Sequence, residues 1–419
     1  MPKPTVKAEY DTLRTVRVHE PGIEAAIGAM DPGPNHFARP FSVREAKREH
    51  RRMVEVLEDA GVEVRHIHED LADGGVLDGL VEEAIGVDED GTSPPTRADL
   101  AGNLADATVY ERLQTVLLGP TVGRTADIDP GDGDDDDPDP GSLDSGTLDT
   151  SVRVERAITN LYFQRDCQLV GDRGPILPRL GTATRRREQS LIEAAWHARG
   201  AEIAHRTSAS ETLEGGDFLP LGEFALVGVS ALEEGEETVF RTTYDGGREL
   251  LEAGAVGYDE VGLVRPPLSA DERLAAEHGT SSRLLHLDGW LNVAAEGLAV
   301  AREPLIEAAT VEVFERVGET YERRGEETVA ELLARHGYEV IDAPYPERWA
   351  TNFLTVADGV VLPIYETDDG EYDPEENRTI ERLKREGVEV LPDGEGLDPH
   401  HLTNGGGGIH CMTSPIRRA

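Results

Sequence analysis

Four consecutive glycines, Gly405 to Gly408, lead through Ile409 and His410 to Cys411, near the end of a 419-residue chain with only two cysteines. Glycine loses more conformational freedom on folding than any other residue, so such a run marks positive φ or a close approach of backbone to ligand. A tight loop presenting one thiol suits a nucleophile, because an exposed sulfur near backbone N–H groups is favoured as thiolate. Three further clusters carry ionisable groups: Asn160-Leu161-Tyr162-Phe163-Gln164-Arg165-Asp166, Glu214-Gly215-Gly216-Asp217 and Leu285-His286-Leu287-Asp288. Two glycines between Glu214 and Asp217 form a turn that can aim both carboxylates inward. Read as a strand, 285–288 puts His286 and Asp288 on one face. Singly these are also an ion pair, an acidic hairpin turn and a polar sheet face. Together, a Cys, a His and several carboxylates call for a cationic substrate attacked by a thiolate. A guanidinium answers that description: planar, permanently charged, with forked donors that match carboxylates. Cys411 would attack its central carbon, and His286 would protonate the departing nitrogen and later activate water. The chain shows no close ligand spacing such as Cys-x-x-Cys or His-x-x-x-His, so a metal site is not expected.

The elements that must position these residues follow a recurring punctuation. A helix opens at Ser42, with Glu45 completing a capping box, and ends at Gly61 before a strand-like Val62 to Arg65. The same helix–Gly–strand junction recurs at Gly200, Gly337 and Gly387, and more loosely at Gly254 with Ala255-Val256. Between these lie apolar, β-prone pairs of runs split by Gly-containing turns: Asp166 to Leu177, Phe218 to Val227, Trp290 to Ala301 and Asn352 to Ile364. Hairpin, helix and strand thus alternate about five times, which predicts a closed pseudo-symmetric α/β array rather than a doubly wound sheet. Residues 71–150 break the pattern: Leu71 to Ile85 and Pro95 to Leu118 read as helices. Asp127–Asp149 then holds ten Asp and no Lys or Arg, predicting a disordered acidic loop. A Ca²⁺ loop would need a closing Glu, and none is there.

Composition narrows the partners. The formal net charge is −42, from 83 acidic and 41 basic residues, so nucleic acid and anionic membranes are repelled. Only four of the basic residues are Lys (Lys3, Lys7, Lys47, Lys384), leaving 37 Arg. This acid-rich, Lys-poor balance predicts a salt-rich cytoplasm that screens self-repulsion. No apolar run approaches the length of a membrane span or a signal segment, and two cysteines fit a reducing compartment. Oligomeric state is not set by the sequence, and a homo-oligomer is open.

With these motifs in order along nearly the whole chain, the sequence resembles the archaeal-type arginine deiminases of the guanidine-modifying (amidinotransferase/deiminase) superfamily. Asn-x-x-Phe-x-Arg-Asp over Asn160–Asp166, Glu214–Asp217, His286-Leu287-Asp288 and the Gly-rich His410-Cys411-Met412-Thr413 carry the resemblance, with Val18-His19-Glu20-Pro21-Gly22 at the start. It implies a five-bladed α/β propeller over residues 1–70 and 151–419, with a helical insertion over 71–150. It also implies hydrolysis of arginine to citrulline and ammonia with neither metal nor cofactor. Cys411 would be the nucleophile and His286 the acid/base, with Asp166, Asp288 and Glu214 holding the guanidinium. Asn160, Phe163, Arg185 and Gly408 would contact the substrate, with Arg186 and Arg187 adjoining Arg185.

Two departures bear on specificity. Bacterial members carry an Arg shortly before the terminal His-Cys, where this loop is all Gly, and another soon after the Glu-Gly-Gly-Asp hairpin, where the next Arg here is Arg241. The all-Gly loop and Thr351-Asn352-Phe353 are also similar to agmatine deiminases, whose substrate lacks the carboxylate. An agmatine deiminase, an amidinotransferase and an arginine dihydrolase are therefore the alternatives, beside a non-enzymic small-molecule sensor. Cys167 reads as packing.

Overall fold

The computed structural model describes residues 2–88, 96–126, 148–365, 367 and 371–419. Within them one unit recurs five times: an antiparallel strand pair, a helix, and a third strand parallel to the second. In chain order, Leu169–Gly171 and Gly174–Leu177 are followed by helix Glu188–Ala198 and His205–Arg206. Phe218–Pro220 and Phe224–Gly228 are followed by Tyr244–Glu252 and Glu260–Arg265. Leu291–Ala295 and Leu298–Ala301 precede Val329–Arg335 and Glu339–Asp342. Leu354–Ala357 and Val360–Leu362 precede Arg378–Arg385 and Glu389–Val390. The remaining unit joins the chain ends: Leu13–Val18 pairs antiparallel with the final strand Ser414–Arg418 and parallel with Glu63–His66, across helix Val43–Asp59. One added hairpin, Thr310–Val317 with Thr320–Thr328, extends the sheet of Glu260–Arg265.

The predicted glycines end all five helices. Gly61, Gly200, Gly254, Gly337 and Gly387 have φ of +84°, +68°, +58°, +79° and +85°, a region that only glycine enters without strain. In each case the next residue donates its N–H to a carbonyl five residues back: Val62 to Leu57, Ala201 to Trp196, Ala255 to Leu250, Tyr338 to Leu333 and Val388 to Leu383. Those acceptor residues are all fully buried. The cap therefore locks each helix where its anchor enters the core, and truncating one of these Leu to Ala costs about 2–5 kcal/mol.

Several expectations are corrected. The strand after Gly254 starts at Glu260, not at Ala255-Val256, because Gly257 (φ +92°) turns the chain and Val256 gives its carbonyl to Asp172 N–H. Likewise the strand after Gly200 is His205–Arg206 rather than 201–203. Ser42 Oγ accepts from Glu45 N–H at 3.4 Å, but Ser42 N–H donates to His401 Nδ1 at 3.3 Å, so the Ser42 capping box is only half formed.

Segment 71–150 contains more than helices. Ile67–Asp73 and Leu77–Ala84 are separated by Gly74 and Gly75, Arg97–Gly102 and Val109–Leu118 follow, and a sheet of Gly86–Val87, Pro120–Ala126 and Leu148–Val154 accompanies them. The apolar faces share one cluster with Val170, Leu177, Leu191 and Trp196 of the neighbouring unit. Of the predicted acidic loop, 127–147 lie outside the described residues, while Leu148 and Asp149 begin a strand rather than ending a loop.

Candidate active site

Each chemically endowed segment occupies the same place in its unit, immediately before the strand pair. Asn160–Asp166 precedes Leu169, Glu214–Asp217 precedes Phe218, His286–Gly289 precedes Leu291, Thr351–Phe353 precedes Leu354, and Gly405–Cys411 precedes Ser414. Four of these segments line one cavity of about 270 Å³, through Asn160, Phe163, Asp166, His286, Asp288, Asn352 and Cys411, and Glu214 of the other reaches it through His286.

His286 does not stand in a strand. It precedes a single 3-10 turn, Leu287–Gly289, because Asp217 Oδ1 takes Leu287 N–H at 3.0 Å and Gly289 N–H closes on the His286 carbonyl. The turn sends His286 and Asp288 to different partners. His286 Nε2 lies 2.9 Å from Glu214 Oε2, and its Nδ1 is 3.8 Å from Asp166 Oδ1. Burial opposes the imidazolium, but Asp166, Glu214 and Asp217 outweigh it and raise the His286 pKa to about 10. Burial likewise opposes the Glu214 charge, and His286, Arg185 and Arg241 overcome it to hold that carboxyl at about 2. Gly216 cannot be larger, since a Cβ there would stand 2.7 Å from His286 Nδ1.

Asp288 Oδ2 receives His410 Nδ1 at 2.8 Å and faces Cys411 Sγ at 3.4 Å. Asn352 joins the glycine loop to the sulfur: its Nδ2 donates to Sγ at 3.2 Å, while its Oδ1 accepts Gly408 N–H at 2.9 Å. The four glycines have distinct reasons. Gly406 has φ +90°, and a Cβ at Gly405 or Gly407 would stand 2.5 or 2.6 Å from the Phe163 ring. Gly408 lies buried beneath the loop, giving its carbonyl to Met412 N–H, while Gly405 to Gly407 line the cavity.

The thiol itself is buried, not presented to solvent. Burial, then Asp288 and Asp166, push its pKa well above the ordinary range, which favours the thiol over the thiolate. Arg185 is tied down: Glu188 takes two of its donors at 2.8 Å each, Asp166 Oδ2 is 2.5 Å away, and the Phe163 carbonyl accepts another. That leaves Asp166 Oδ1 buried with no hydrogen-bond partner among the described residues, an acceptor open to a donor. Asn160 is held by Asn35 and Thr159 at the rim. Among the described residues, Asp166, Glu214 and His286 form the group whose ligand atoms all lie within 4.8 Å of one another. The raised His286 pKa favours an imidazolium between these two carboxylates.

Sequence reasoning singled out neither Asn352 as a ligand of the sulfur nor Glu9, Arg241, Arg348 and His36 near the site. The signal for Asn352 was its place before the strand pair that starts at Leu354, the position that the other motifs share. Glu9 carried no local signal, since it reaches the site only through the closure of the chain ends.

The family model for arginine deiminase matches residues 36–418. An arginine deiminase from Halobacterium salinarum is 33% identical, covering 98% of this chain and 96% of that protein. An uncharacterised protein from Aeropyrum pernix is 24% identical over 61% of this chain and 72% of its own length. Among solved structures, a DDAH from Pseudomonas aeruginosa complexed with citrulline aligns with TM-score 0.50 and 14% identity, over 96% of this chain and 99% of that one. An amidinotransferase of the Microseira wollei saxitoxin pathway aligns with TM-score 0.52 and 14% identity, over 99% and 97% of the two chains. These two likenesses show that the chain shares their mixed α/β fold.

Proposed function

The chain belongs to the arginine deiminase family, and from that premise we propose that it hydrolyses L-arginine to L-citrulline and ammonia through an amidino adduct on Cys411. The observation that carries this reading is the cup around the sulfur: Asp166, Asp288 and His286 line it, Glu214 backs His286 at 2.9 Å, and Asp166 Oδ1 has no hydrogen-bond partner among the described residues. The substrate guanidinium enters between Asp166 and Asp288 and neutralises the charges that keep the thiol protonated. Sγ gives up its proton to solvent, where the released ammonia later takes one up as ammonium, and bonds to the guanidinium carbon. His286 protonates one nitrogen, which leaves as ammonia, and a thiouronium remains. Neutral His286 then takes a proton from water, the new oxygen bonds to carbon, and the C–S bond breaks. Citrulline departs, and the proton that its oxygen sheds restores the thiol.

Four arginines, Arg185, Arg241, Arg283 and Arg348, line the cavity of a chain whose net charge is −42. Cations around the mouth favour a guanidine with an anionic tail, hence arginine over agmatine. Arg241, 3.8 Å from Glu214, serves the carboxylate end in place of Arg185, whose donors are held by Glu188, Asp166 and the Phe163 carbonyl. The five units close into a propeller in this reading, with 71–150 as its insertion, and the protein works in a salt-rich cytoplasm. Product analysis with arginine and agmatine in high KCl tests the assignment. Citrulline and ammonia from arginine are expected, and turnover of agmatine alone would overturn the specificity.

A further inference from the structure

We propose that Glu9 and His410 form a buried clamp that fixes the orientation of the Asp288 carboxylate beside Cys411, making both positioning residues for the reaction. The inference rests on the reading above that Asp288 receives the guanidinium. His410 is 1% exposed and does not line the cavity. Its Nδ1 meets Asp288 Oδ2 at 2.8 Å, and its Nε2 faces Glu9 Oε1 at 3.5 Å. Glu9 is fully buried and held from two sides, by Arg418 Nη2 at 2.7 Å and Arg165 Nη2 at 3.0 Å. Arg165 also binds the His410 carbonyl through Nε at 3.3 Å, and its backbone N–H binds the Cys411 carbonyl at 3.0 Å. The clamp thus runs from the arm before the first strand, through the last strand, to the residue preceding the nucleophile. It holds the one carboxylate oxygen that faces the sulfur.

Asp288 faces cations on His410, His286 and Arg165, and the Cys411 thiol beside them, with Asp166 across the cavity. Burial raises the Asp288 pKa, and His410, then His286 and Arg165, reverse that and lower it. Loss of the His410 donor should therefore let Asp288 protonate at higher pH and turn. A misplacement of this kind costs about a hundredfold.

The test compares two amides of similar volume. His410→Asn places an N–H where Nδ1 stands, and His410→Gln places it near Nε2 instead. With arginine in high KCl, His410→Asn should retain kcat/KM within about tenfold, while His410→Gln should lose about a hundredfold. The acid limb of its kcat/KM profile should move to higher pH. Glu9→Gln, which does not line the cavity, leaves Arg165 and Arg418 without their carboxylate and should move the same limb to lower pH. Equal losses in the two His410 variants, or a Glu9→Gln profile that scales down without shifting, would make the cluster merely structural and overturn the clamp. Wild-type protein that yields no citrulline, or an active Cys411→Ser, would instead sink the reaction itself.

Discussion

Two histidines stand on either side of Cys411, and each lies between two carboxylates. His286 has Glu214 at 2.9 Å and Asp166 at 3.8 Å, and it lines the cavity. His410 has Asp288 at 2.8 Å and Glu9 at 3.5 Å, and it is sealed behind Arg165 and Arg418. The donor–acceptor pattern is nearly the same, so pattern alone does not decide the role. Access does. A proton on His286 can pass to an atom in the cavity, whereas the partners of His410 are all protein groups held in place. One histidine is built to exchange a proton and the other to keep a neighbour still.

The largest effect should come from the atom between them. Cys411→Ser should abolish turnover while the melting temperature stays within a few degrees, because the sulfur supplies the bond that the reaction requires. Measurable citrulline from that variant would end the covalent reading. His286→Asn should follow, losing about 10²- to 10⁴-fold in kcat, the usual worth of a positioned acid/base. Its proton can be watched directly. With the pKa of His286 raised to about 10, ring ¹⁵N shifts should report an imidazolium from pH 6 to 9 in the empty enzyme. A neutral ring at pH 7 would erase the contrast with an ordinary histidine.

Linkage gives a stability test of the same pair. His286 has a folded pKa near 10 against its usual 6.5, so its contribution is complete below 6.5 and is lost as pH rises through 10. Glu214 has a folded pKa near 2 against its usual 4.5, so its contribution is complete above 4.5 and is lost as pH falls through 2. The stability difference between wild type and His286→Gln should therefore be greatest between pH 4.5 and 6.5 and shrink toward pH 10. A difference independent of pH would place the effect in packing.

Much of this was legible in the sequence where physics is local. A positive-φ glycine after an amphipathic helix, or a glycine turn between two apolar runs, leaves the same mark wherever it occurs. The helix ends at Gly61, Gly200, Gly337 and Gly387 could therefore be read residue by residue. The site segments were readable for a related reason, since reactive residue types stood just before predicted strand pairs. What failed was long-range or conformational. His286 and Asp288 seemed to share a strand face, but Asp217, seventy residues earlier in sequence, captures Leu287 N–H and imposes a turn. Cys411 seemed exposed, but the loop folds beneath Asn352 and Phe163, and the carboxylates meant for substrate raise its pKa. Glu9 offered no cue at all, because only pairing of the two chain ends brings it to His410.

Smaller effects separate the site from the rest of the surface. With a net charge of −42, the melting temperature should fall when molar KCl is replaced by dilute buffer, where repulsion is unscreened. Equal melting temperatures would contradict adaptation to salt. The last and smallest effect concerns residues 127–147. The strands that bracket them pair antiparallel over seven positions, from Pro120↔Val154 to Ala126↔Leu148. Ala126 and Leu148 are thus opposite each other, where a two-residue Asn-Gly turn closes a hairpin without changing register. Replacing 127–147 by Asn-Gly should leave kcat/KM for arginine within about threefold, since that sheet contributes no residue to the cavity lining. It also removes nine Asp, so the shortened protein should lose less stability than wild type on dilution from high salt. A variant that keeps its activity but melts in dilute buffer as readily as wild type would show that charge density elsewhere, around the five repeated units, sets the salt requirement.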